Sequence, residues 1–130
     1  MNALSLTIPA QRQWGLALRT TASAAGAMAG LSLDLIDDLR IAIDEAFDLL
    51  THQPLALESV TMTCRPDEKA LYISLSAKRS QAEQHCMPAD PETARLIIGS
   101  LVADIHLEGD RCGVHSVVMS LPLCGIRYEC

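Results

Sequence analysis

The densest set of ionisable side chains lies in one stretch, SLDLIDDLRIAIDEAFDLLTH, from Ser32 to His52. It holds five aspartates and one glutamate among leucines, isoleucines and alanines. A carboxylate on such a segment either moves a proton as a general base or simply faces water. Glu45, the single glutamate, is the residue to decide between. A second group capable of chemistry is the thiols. The five cysteines, Cys64, Cys86, Cys112, Cys124 and Cys130, form no C-x-x-C pair and are odd in number. In a cytoplasmic chain they default to reduced thiols. His85 and Cys86 are adjacent in a polar loop, so a redox or metal sensor built from His85, Cys86 and Cys112 is one reading. No ligand spacing recommends it, because structural zinc wants four convergent ligands. His52, His85, His106 and His115 are scattered, and no Ser-His-Asp spacing, Walker loop or zinc signature is present.

The acidic stretch reads as a helix capped by Ser32. Projected at the helical repeat, Asp34, Asp38 and Glu45 stack on one face, with Asp37, Asp44 and Asp48 beside them. Leu35, Ile36, Leu39, Ala42, Ile43, Ala46, Leu49 and Leu50 occupy the other side. The early aspartates suit the positive end of the helix dipole. Ile41 is the exception: it falls within the acidic face, which is therefore not expected to be wholly solvent-exposed.

The totals bound the remaining possibilities. A chain of 130 residues is expected to be a single domain, residues 1–130. Hydrophobic residues make up 49% and charged residues 20%, the profile of a globular chain. With one Trp, two Tyr and one Phe, the core must be aliphatic and platforms for stacking bases are nearly absent. A net charge of −6 also argues against a direct nucleic-acid surface, which needs clustered Lys and Arg. No apolar run approaches the roughly 20 residues that span a bilayer, so no membrane partner is expected. MNALSLTIPAQRQWG has no charged region ahead of its apolar residues, so the expectation is no signal peptide and a cytoplasmic location.

The other elements follow from periodicity. LSLTIP alternates as a half-buried strand ending at Pro9, and Gln11–Ala29 reads as an Ala-rich helix stopped by Gly30. SVTMTCR and ALYISLSA form a hairpin around the turn PDEK. A polar loop, KRSQAEQHCMPA, follows. Asp90 and Pro91 open a third helix, PETARLIIGSLVA. DIHLE, the turn GDRCG and VHSVVMSLPL close the chain as two strands. The order β-α-α-β-β-α-β-β predicts an α+β two-layer sandwich: a mixed, mostly antiparallel sheet with helices on one face.

That order, with RIAIDEAFDLL on the second helix, resembles the bacterial anti-sigma factor/serine-protein kinase family, which has the histidine-kinase-like ATPase fold. LSLTIPA is similar to the family's first strand. The junction Gly30-Leu31-Ser32 fits the approach to its acidic helix. IIGSLVADIHLEGDRCGVHSVVMSLPL is similar to its closing helix, strand, turn and strand. The nucleotide-binding boxes depart from the pattern. The family's acidic helix carries Glu-x-x-x-Asn, the glutamate a general base and the asparagine a magnesium ligand. Glu45 matches the glutamate, but Leu49 stands at the asparagine. Asp48, one residue earlier, is the one nearby carboxylate that could take over a magnesium. The Asp-x-Gly-x-Gly box falls by spacing at Ala77, Arg79 and Gln81, without its acid or glycines. The Gly-x-Gly phosphate loop falls near Glu92 and Ala94, where a carboxylate would repel phosphate.

The resemblance therefore implies a degenerate member. It would be an anti-sigma factor that sequesters an alternative sigma factor, is countered by an anti-anti-sigma protein, and has no kinase activity. Glu45 is then vestigial and no cofactor is expected. Family members use an arginine on the first helix against partner proteins, and Arg19 matches it by spacing. Otherwise it is a solvated arginine. Trp14, at helical spacing before it, is either buried or a second partner contact, since Trp and Arg are enriched at binding hot spots. A homodimer through the sheet is a further implication. The alternative is an active serine-protein kinase that phosphorylates the anti-anti-sigma protein, with Glu45 as base and ATP and magnesium as cofactors.

Overall fold

The structure, a computed structural model, describes residues 3–123; Cys124 and Cys130 lie outside the described residues. The chain runs β1 (Leu4–Pro9), a 3-10 turn (Arg12–Trp14), α1 (Gly15–Ala29), α2 (Leu33–Thr51), β2 (Leu55–Pro66), β3 (Ala70–Glu83), α3 (Pro91–Gly99), β4 (Asp104–Asp110) and β5 (Gly113–Pro122). The five strands form one sheet in the order β1-β2-β3-β5-β4. The α+β sandwich expected from the sequence is the architecture observed.

The sheet is antiparallel at every pairing, not mixed. The reason is the connections. Two helices between β1 and β2 bring the chain back to run against its start. β4, which shares the direction of β3, is kept from pairing with it by β5, which inserts between them. Alternation then gives the sheet two unlike faces. One row runs Leu6, Met62, Leu75, Val117 and Leu107, and the next Leu4, Cys64, Ile73, Met119 and Ile105. Apart from Leu4, which is exposed at the sheet edge, these rows meet Leu18, Leu39, Ile43, Leu50 and Ile98 of the helices in one aliphatic core. Burial pushes the Cys64 thiol up to about 11, so it packs as a small apolar group. The opposite face carries Thr7, Thr61, Ser76 and Ser116 in register, then Ser5, Thr63, Ser74 and Val118.

Helix α2 is the axle of the helical layer: it packs against α1, α3 and the sheet. Ser32 caps it, its hydroxyl accepting from the Leu35 amide at 3.2 Å. The aliphatic side of the helix is buried as expected, and Phe47 joins it. Gly30, at φ +99°, ends α1 in the left-handed conformation that only glycine adopts freely.

Several boundaries differ from the sequence reading. The start of the first helix is a 3-10 turn, and the α-helix begins at Gly15. Strand β3 continues to Glu83 and absorbs the first half of the polar loop, because β2 reaches back to Leu55 and offers it a partner. Helix α3 stops at Gly99; Ser100 to Val102 turn instead, with Val102 still buried.

Candidate functional site

The site implied by the sequence lies between α2 and α3. Glu45 sits half-buried on α2 and takes part in no ion pair among the described residues. One turn later Leu49 is 1% exposed and belongs to the core. It supplies no oxygen to a hard cation. Asp48 is exposed, and no three His, Cys, Asp or Glu residues among the described ones converge on a metal-sized space.

The phosphate end is occupied by the chain's own acid. Asp90 caps α3: its Oδ1 accepts from the Glu92 amide at 3.2 Å and its Oδ2 from the Thr93 hydroxyl at 2.7 Å. The Thr93 hydroxyl, then the Glu92 amide, hold its carboxyl below the usual carboxylate range. A helix N-terminus already bonded to a carboxylate is a poor receiver of phosphate. Ala94 behind it is buried.

The third box lies on strand, at a register irregularity opposite Leu55–Ser59. Ala77, Arg79 and Gln81 are all part of β3, so no glycine loop forms there. Arg79 instead donates from Nη1 to Asp110 at 2.9 Å and from Nη2 to the Gly113 carbonyl at 2.8 Å. That bond, with the Cys112 amide, lowers the Asp110 carboxyl from its ordinary value.

Residues that sequence reasoning missed close the end of the cleft. Gln53, buried to 4%, donates to the Leu49 carbonyl at 2.7 Å and accepts from the Val114 amide at 3.0 Å. Gln84 donates to the carbonyls of Thr51 at 2.8 Å and Gln53 at 2.7 Å. Ala89 bonds the His52 carbonyl at 2.9 Å. The segment Gln84–Ala89 is thus strapped across the C-terminus of α2, using carbonyls that a helix end leaves without partners. A lone buried glutamine carries no periodic signal in a sequence, so nothing announced it. Cys86 lies 3.9 Å from the Gln53 carbonyl as part of this strap.

A broad concavity lies between α1 and α2, and Glu45 is not among the residues that line it. It is an open groove of about 990 Å³. Arg12, Gln13 and Leu16 form one wall and Phe47, Asp48 and His52 the other, with Arg19 and Asp44 also lining it. Arg19 is not merely solvated: it donates from Nη1 to both oxygens of Asp44, at 2.9 and 3.0 Å. Trp14 is 44% exposed at the start of α1, so the reading of it as a core residue fails. Its amide donates to the Gln11 carbonyl at 2.9 Å within the 3-10 turn that precedes α1. Leu16 and Ile41 are also exposed, at 58% and 53%. Ile41 itself is open to solvent, while Asp38 and Glu45 on the same face are half-buried, so that face is partly covered as expected.

No protein-family model and no curated protein matches the chain. A solved structure does: the RsbU and RsbW domains of Rv1364c from Mycobacterium tuberculosis. The match has a TM-score of 0.68 at 15% identity and covers 95% of this chain. The chain spans about a third, 33%, of that chain's length. The sheet order, the helical layer and this likeness together define the histidine-kinase-like ATPase fold. No helix among the described residues is long and apolar enough to cross a membrane.

Proposed function

We propose that this chain is an anti-sigma factor that holds an alternative sigma factor by occlusion and works in the cytoplasm without nucleotide. The single observation that carries the reading is the combination of an RsbW-like fold with a cleft whose boxes are filled by the chain's own residues. Losing a hydrogen bond to a charged group removes about 1.5–3 kcal/mol, and every 1.4 kcal/mol is about tenfold in affinity. Leu49, Asp90 and the Arg79–Asp110 pair remove the metal ligand, the phosphate cradle and the adenine acceptor together. Glu45 is then a remnant.

The docking surface is α1 with its groove. Trp14, Leu16 and Arg19 supply exposed apolar area beside a guanidinium, the residue types that dominate binding energy. A sigma factor seated there cannot present the same surface to polymerase, and an anti-anti-sigma protein releases it by competing for this chain. In this reading a second copy pairs through the Ser/Thr face of the sheet, whose central rows carry no charge. Co-purification from the source cell tests the function: a sigma factor is expected in the eluate, and failure to bind any sigma factor of that cell removes the reading.

The alternative, a kinase of the anti-anti-sigma protein using ATP and magnesium, draws on one feature, the carboxylate of Glu45, which has no ion-pair partner among the described residues. A rise of several degrees in melting temperature with Mg-ATP, abolished by Glu45→Ala, is the result that would favour it.

A further inference from the structure

Arg19 is engaged, but incompletely. Only its Nη1 reaches Asp44, and that one nitrogen serves both carboxylate oxygens, at 2.9 and 3.0 Å. Among the described residues, Nη2 and Nε have no acceptor. Guanidinium recognises a carboxylate best through two parallel N–H···O bonds from two nitrogens. Asp44 is anchored on the neighbouring helix and does not adopt that alignment. The pair is partly open to solvent, with side chains 31% and 48% exposed. It also sits on the rim shared by two depressions, the groove of about 990 Å³ and a shallower one of about 390 Å³. Leu16 flanks the pair from the first and Ile41 from the second. An ion pair set between two exposed aliphatic side chains is placed where a docking partner must displace or complete it.

The chemistry of Arg19 decides what that partner brings. The two depressions set Arg12, Arg19 and Arg40 against Asp37, Asp44 and Asp48, so the selection is made by the unused donors of Arg19 rather than by net charge. Arginine only donates, so whatever replaces Asp44 must accept, and an anion does so best.

We propose that Asp44 is an internal stand-in for a carboxylate of the sigma factor, and that docking exchanges the Asp44 carboxylate on Arg19 for an Asp or Glu side chain flanked by aliphatic residues. This rests on the anti-sigma reading and adds a regulation to it: the chain holds its own contact arginine in a weaker bond, which sets a threshold that only a partner with a well-aligned acid passes. No bond other than hydrogen bonds changes.

The test uses the full chain and the purified sigma factor that it retains from its own cell. Affinities are measured for the wild type, Asp44→Asn, Arg19→Ala and the double variant. Removing an exposed competing ion pair is expected to tighten binding in Asp44→Asn by roughly two- to fivefold. Arg19→Ala should weaken binding about tenfold or more. In the Arg19→Ala background Asp44→Asn should have no further effect. Circular dichroism melts of all four proteins show that each is folded. Unchanged or weaker binding by folded Asp44→Asn overturns the proposal while leaving the anti-sigma reading intact. So does a gain that survives Arg19→Ala. If no sigma factor binds any of the four proteins, the anti-sigma reading itself fails and the exchange falls with it.

Discussion

Residue identity decides most of the chemistry here. Leu49 is the plainest case, because it stands where the resembled family carries its asparagine and is a core side chain at 1% exposure. Placing that residue here with Leu49→Asn therefore buries an amide in aliphatic surroundings. The expected result is a loss of about 2–4 kcal/mol in urea unfolding and no gain of nucleotide binding. The depressed carboxyls give a pH signature. Asp110 is lowered first by its bond to Arg79, and Asp90 first by the Thr93 hydroxyl. The folded state then holds fewer protons than the unfolded one below the ordinary value of 3.8. Their stabilisation is complete above that value and is lost as pH falls through the depressed folded values. Melting temperature should accordingly drop on acidification from about pH 5 to pH 3, with a shallower acid limb in Asp110→Asn.

At the scale of elements, helices α1 and α2 were readable because period and caps agree. Ser32 precedes an amphipathic run and Gly30 supplies the left-handed stop. Ser32→Ala should lower stability by about 1 kcal/mol, measured by thermal or urea unfolding. The hairpin was readable from alternation, but its length was not. Lys78 to Glu83 carry no apolar alternation, and they become strand only because β2 provides a ladder. The strap over α2 was illegible for a related reason: Gln84 and Gln53 act through carbonyls, which have no sequence code. Gly113 joins the same region at φ +108°, and a Cβ there would strike Gln53. Gly113→Ala should destabilise by about 1–3 kcal/mol and loosen the strap, read as faster amide exchange at Gln84 and Ala89.

For the whole molecule, the order of elements and a mostly antiparallel sheet were in the sequence, while the placement of the groove was not. The acidic helix drew attention to Glu45, yet the groove between α1 and α2 is lined by Asp44, Phe47 and Asp48 and not by that glutamate. Trp14 and Arg19, chosen for their type and spacing, fall at and beside that groove, and the Asp44 contact emerges only when the two helices pack. The central claim is that a histidine-kinase-like scaffold serves here as a nucleotide-independent clamp on a sigma factor. Its most direct test is size-exclusion chromatography of the full chain with each purified sigma factor of its cell, in EDTA and again with Mg-ATP. A stoichiometric complex in EDTA, unchanged by Mg-ATP, is the predicted result; a complex that forms only with Mg-ATP, or none with any sigma factor, contradicts it.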